Sequence, residues 1–257
     1  MDTIKLPVRD IFFQVVSVPF QNPVAFLKVG APAVISGTIL ISYHHFFSFS
    51  YLLGADNVLG MFVLALLWFI FTLSLLMAIV GCHRIFILGK DYVKDRKYIH
   101  WTGNELEYGA WWILFIVLAA ILYLPFALIS FSIDEAVIEQ ENMLNTIIGY
   151  PAIIPIYYII SRWSLVLPSC AIGIGQQTPA WSWRLSRGNG WRLTLLVSLP
   201  PIITELILDL FPDSFSTLNL LLIGATWLLL GIIEIGLLSR SYSFLVGERE
   251  DNSHVAV

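Results

Sequence analysis

Glu205, Asp209, Glu234, His44 and His45 stand inside long apolar runs, where side chains of their type are scarce and chemically able. Glu205 and Asp209 are one helical turn apart on the same face, and His44 and His45 fall at a comparable depth. A His/carboxylate cluster of this kind relays protons or holds a metal ion, whose identity the spacing leaves unknown. Adjacent histidines on a helix point about 100° apart, so at most one of the two faces a given site. The plainer alternative puts Asp209 and the histidines near one headgroup layer and leaves Glu205 neutral, hydrogen-bonded to a neighbouring helix. Glu234 lies near the opposite layer. There it either pairs with Arg162, Arg187 or Arg192, or forms with them the wall of a headgroup pocket.

A second group carries a different chemistry. Arg162, Arg184, Arg187 and Arg192, with Asn189 and Trp181, concentrate between two apolar runs. Guanidinium groups fork onto phosphate oxygens, and an indole sits well at headgroup depth, so these six are candidates for binding a lipid headgroup or a partner protein. His83 beside Arg84 reads as a solvated interfacial histidine. Cys82 and Cys170 lack metal or redox spacing and read as packing residues. With no HExxH, no GxSxG and no Asp-rich metal motif, an enzyme is not expected, and no cofactor is called for.

The elements that must position these residues follow from composition. The chain of 257 residues is 58% hydrophobic and 12% charged, with a mean hydropathy of +0.80. It is too apolar for a water-soluble globule, and nucleic-acid binders with a basic domain are excluded along with disulfide-stapled modules. Continuous apolar runs near 29–53, 58–81, 109–133, 143–167, 193–211 and 217–239 predict an all-α polytopic bundle of about six spans, a single transmembrane domain over 1–257. The first of these runs is too long for a cleaved signal and is expected to stay as a span, while the stretch from Ile11 to Phe20, kept from spanning by Gln14, Pro19, Gln21, Asn22 and Pro23, is expected to lie in the interface as a helix.

Orientation comes from charge. Lys5, Arg9 and Lys28 precede the first span, and Arg84, Lys90, Lys94, Arg96 and Lys97 follow the second. Arg162 and the three arginines after it separate the fourth from the fifth, and Arg240 and Arg249 follow the sixth; these are all 14 basic residues. The opposite connections hold Asp56, Asp134, Glu135, Glu139, Glu141 and Asp213. Both termini are therefore expected in the cytoplasm.

Within the second inner connection, Thr178, Pro179 and Gly188 mark a short in-plane helix at about 179–187, with Trp181 and Leu185 on one face and Arg184 and Arg187 turned away. Gly103-Asn104 and Gly188-Asn189 each open the following helix after an arginine, Arg84 or Arg162, which a duplicated hairpin or chance explains equally. Pro200-Pro201, just before Glu205, is expected to kink or unwind the fifth span, as at the broken helices of transporters.

The stretch from Arg162 to Pro168, followed by Ala180-Trp181-Ser182-Trp183-Arg184-Leu185-Ser186-Arg187-Gly188-Asn189-Gly190-Trp191-Arg192-Leu193, resembles a signature of bacterial inner-membrane proteins. These are the glycerophosphodiester phosphodiesterase membrane-domain-like group and their six-helix relatives. Ser186 stands where that pattern usually has Thr. The resemblance spans about 30 residues and implies a bacterial inner-membrane location and a helical bundle. It implies no catalysis, because the group's phosphodiesterase chemistry belongs to an attached soluble barrel. The expected function is a non-enzymatic membrane scaffold or modulator that binds anionic lipid headgroups, a partner membrane protein or a second copy of itself through its basic face. The alternative is a small transporter or permease-like protein with an intramembrane carboxylate site.

Overall fold

The computed structural model describes residues 5–52, 58–94, 97–134, 154–174, 177–208 and 217–254, and all regular structure among them is helical. The elements are α1 (Val8–Gln21), α2 (Pro23–Leu52), α3 (Val58–Leu88), a 3-10 turn (Lys90–Val93), α4 (Gly103–Asp134), α5 (154–163), α6 (Val166–Ile172), α7 (Pro179–Leu185), α8 (Gly190–Leu208) and α9 (Thr217–His254). Among the described residues, four helices contain stretches long and apolar enough to cross a membrane: Pro23–His44, Val58–Leu88, Gly103–Leu128 and Ile223–Gly247. The shortest has 22 residues, which at 1.5 Å per residue spans the roughly 30 Å hydrocarbon layer. Only 6% of the best apolar window in Gly103–Leu128 is buried by protein. Its Trp112, Ile113, Ile116, Ile121 and Leu124 are exposed, as lipid-facing residues must be. The chain is a multi-pass membrane protein by these four spans. The first part of the run at 143–167, up to residue 153, lies outside the described residues, as does the end of the run at 193–211.

Where lipid-like surfaces meet, small residues decide how near two helices come. Ala33 and Ser36 of α2 are buried, and a Cβ added at Gly37 would lie 3.0 Å from the Phe71 ring of α3. At Gly236 of α9, an added Cβ would lie 2.5 Å from Phe86 and 2.6 Å from Val15. The amphipathic α1 buries Ile11, Val15 and Pro19, a four-residue spacing that makes one stripe, and docks it on α9. Its other side leaves Phe13 and Phe20 exposed.

The buried side chains gather at the end of the bundle where the basic residues lie. Val15, Val80, Ile85, Phe86, Leu165, Val166, Leu193 and Leu237 are almost wholly covered there. Thr178 caps α7 by accepting a bond from the Trp181 amide, with Pro179 in the first turn. Gly188 takes φ +83°, a left-handed conformation open to glycine, and lets the chain turn into α8. The secondary structure of α8 continues through Pro200 and Pro201, so the expected unwinding there does not occur. Helices tolerate proline where neighbouring groups satisfy the carbonyls it leaves free.

Candidate functional site

The functional residues at the basic end are built around two arginines, each leaving the end of one helix and closing on a later segment. Arg84, near the end of α3, is 4% exposed. Its Nε donates to the Ala171 carbonyl of α6 at 2.5 Å, and its Nη1 to Glu105 Oε1 at 2.8 Å and to the Tyr92 hydroxyl at 3.1 Å. Nη2 donates to Thr102 Oγ1 at 3.2 Å. Glu105 reaches back to the Thr102 amide at 2.7 Å and accepts the Thr102 hydroxyl. Thr102 and Glu105 thus form a capping box at the start of α4, and the same carboxylate neutralises Arg84. Local sequence explains why the carboxylate is there. Only the approach of α3 to α4 makes it the partner of Arg84.

Arg162 repeats the device at the end of α5. Its Nε donates to Ser186 Oγ at 2.8 Å, its Nη2 to the Trp183 carbonyl at 2.5 Å and its Nη1 to the Tyr158 hydroxyl at 3.3 Å. The guanidinium lies 3.5 Å from the Trp183 ring centroid, a stacked cation–π contact. Ser182 returns a hydroxyl bond to the Arg162 carbonyl. Asn189 is buried; its Oδ1 accepts the Leu6 amide at 2.7 Å, and Arg192 Nη1 donates to the Leu6 carbonyl, also at 2.7 Å. Two of the expected headgroup ligands thus clamp the peptide that leads into α1, and Arg162 holds α7. On α7, which ends at Leu185 rather than at 187, Leu185 is buried and Trp181 half-buried, whereas Arg184 and, in the turn that follows, Arg187 are exposed. Trp183 and Trp191 are exposed beside them.

His83 departs from the expectation of a solvated ring. It is fully buried, with Nδ1 2.7 Å from Ser239 Oγ of α9 and Nε2 3.0 Å from the Tyr108 hydroxyl of α4. The Ser239 hydroxyl donates to the Ile235 carbonyl, so Ser239 accepts from His83 Nδ1–H and Nε2 accepts from Tyr108. This relay ties α3, α4 and α9 together. A histidine five residues before the end of a span carries no local mark of burial, so only the packing shows it.

Glu234 is half-buried in α9, and no ion pair joins it to Arg162, Arg187 or Arg192 among the described residues. Arg162 is turned to α7 and Arg192 to Leu6. His44 is exposed on α2; Asp209 lies outside the described residues, and the side chains of His45 and Glu205 are not described. No cluster of three or more metal-ligating side chains occurs among the described residues.

No family model matches the chain, and no curated protein or solved structure does.

Cys170 lies in α6, beyond the spanning helices, wholly buried with its Sγ 3.6 Å from the Asn104 carbonyl. Burial, assisted by the negative Glu107, pushes its thiol up to about 12 from a usual value of 9.0. The reactive thiolate is thus scarce throughout the neutral range. Between about pH 7 and 9, maleimide labelling of native protein should stay slow at Cys170 by peptide mass mapping, and speed up on unfolding. The unfolded thiol ionises first, so this group's contribution to stability falls as pH rises from 9.0 towards about 12. Fast labelling of the native protein that steepens with pH would show an accessible thiol.

Proposed function

We propose that this protein is a non-enzymatic membrane scaffold or modulator, oriented with its basic end in the cytoplasm, which binds anionic lipid headgroups or a partner membrane protein there. The observation that carries this reading is the exposed pair of Arg184 on a short capped helix and Arg187 in the turn that follows it, flanked by exposed Trp183 and Trp191. Indoles favour the headgroup layer, and each nearby cation adds about 1 kcal/mol of attraction to an anionic surface. Arg162 supports the platform from below by stacking on Trp183, so its role is to position rather than to bind. The six-span count belongs to this proposal, with the runs at 143–167 and 193–211 completing the four spans described. A bacterial inner membrane rests on the resemblance of the Arg162–Leu193 stretch alone.

The test is gentle purification followed by native mass spectrometry. Anionic phospholipid should be retained in preference to zwitterionic lipid, or a second membrane protein should stay bound. Monodisperse protein carrying neither would defeat the reading. The transporter alternative, centred on Glu205, predicts instead that Glu205→Gln abolishes an ion or solute flux in proteoliposomes.

A further inference from the structure

A cleft apart from the α7 platform opens at the basic end, where the near ends of three spanning helices meet. Lys28 and Val29 of α2, Met77, Gly81 and Arg84 of α3, Tyr92 and Val93 of the 3-10 turn, and Lys97, Tyr98, His100 and Glu105 line it. Lys28 Nζ donates to the carbonyls of Val93 at 2.8 Å and Lys94 at 3.3 Å. An ammonium has three donors, so one remains. Arg84, at the floor, uses four of its five N–H donors on Ala171, Tyr92, Glu105 and Thr102. Among the described residues, one Nη2 hydrogen of this buried guanidinium has no acceptor. Glu105 pairs with Arg84, and among the described residues no ion pair joins Lys28 or Lys97, which stand with His100 around the opening.

Size and place select the ligand. The water-accessible core of the cleft is about 30 Å³, far below the roughly 300–1,000 Å³ of a pocket that encloses a whole small molecule. A single phosphate group fits, provided the rest of the ligand stays outside. The cleft sits where Pro23–His44 and Gly103–Leu128 begin and Val58–Leu88 ends, which is headgroup depth. Tyr98, Ile99 and Trp101 beside it are exposed by 64%, 71% and 37%, an apolar and aromatic fringe that interleaves with Lys97 and His100. Such a fringe dips into the acyl boundary while the cations remain at the phosphates.

We infer that the cleft between Lys28, Lys97 and His100, floored by Arg84, seats the phosphate of one anionic phospholipid whose chains lie along α2 and α3. This rests on the proposed lipid-binding reading and narrows it from a surface to a single site. Lys97 and His100 are exposed, so replacing them leaves the packed core intact.

The experiment uses the full chain in detergent, titrated with phosphatidylglycerol or phosphatidylcholine, with the one-to-one complex counted by native mass spectrometry. The double variant Lys97→Ala/His100→Ala should lower one-to-one phosphatidylglycerol retention by about tenfold. The control Lys5→Ala/Lys90→Ala, which removes at least as much positive charge from outside the cleft, should stay near the wild type. Equal loss in both variants means diffuse attraction and overturns the cleft, while the broader reading stands. A wild-type chain without preference for phosphatidylglycerol overturns both. If millimolar inorganic phosphate alone raises the melting temperature as much as the lipid does, and Lys97→Ala/His100→Ala abolishes that rise, the ligand is a soluble phosphate and the lipid assignment falls.

Discussion

Arg84→Met should destabilise the folded protein by about 3–5 kcal/mol, because it strands the Glu105 carboxylate in a buried site. The side chains of Arg84 and Glu105 are 5% and 1% exposed. Without the guanidinium, Glu105 keeps only the Thr102 amide and hydroxyl, and the Ala171 carbonyl loses its donor at 2.5 Å. Two ties break in one substitution, that of α3 to Glu105 of α4 and that of α3 to the Ala171 carbonyl of α6, while the His83–Tyr108 and Cys170–Asn104 contacts remain. Thermal unfolding in detergent, followed by circular dichroism, measures the loss. Glu105→Gln in the Arg84→Met background should recover part of it, since a neutral amide costs less to bury than an unpaired charge. A melting temperature within a degree or so of the wild type for Arg84→Met would mean that water reaches Glu105 and that the pair is not buried.

Gly236→Val should cost about 1–3 kcal/mol through overpacking. Even the first added carbon would lie 2.5 Å from the Phe86 ring and 2.6 Å from Val15 Cγ1, and both of those residues are completely buried. Phe86 also packs on Phe26, with ring centroids 5.3 Å apart, so it has no free volume into which to rotate. The displaced element should be α1, a 14-residue helix, less than half the length of the 31-residue α3. Limited proteolysis near the N-terminal segment should therefore accelerate in Gly236→Val along with the fall in melting temperature. Combining Gly236→Ala with Val15→Ala should restore much of what Gly236→Ala loses alone. If the two substitutions instead add independently, Val15 and Gly236 do not share that contact.

The long apolar helices were legible because hydropathy needs no partner. A lipid-facing residue such as Ile113 or Phe62 is specified by its own transfer energy, so four spans could be read from the run lengths. The short helix α7 was legible for a similar reason, since Thr178, Pro179 and Gly188 act on their own backbone. The capping box of Thr102 and Glu105 was equally present in the sequence and would have placed Glu105 on the Thr102 amide. Its union with Arg84 could not be read that way, because the two side chains belong to different helices and meet only when α3 and α4 are packed.

The candidate site divides along the same line. Sequence by itself determined that the 14 basic residues belong to the segments at one end of the helices, and so that cationic chemistry concentrates there. It could not tell which of them tie helices together. Arg84, Arg162 and Arg192 look no different in sequence from Arg184 and Arg187. Only the tertiary structure joins the first three to Glu105, to the Trp183 carbonyl and to Leu6, and places Arg184 and Arg187 on the exposed surface beside Trp183. It also brings Lys28 across to the backbone of Val93, 65 residues away, and so forms a cleft that no single segment contains. The physical reason is range. Transfer into lipid and helix capping are properties of a residue and its near neighbours, whereas the partner of a buried charge is set by which distant helix packs against it.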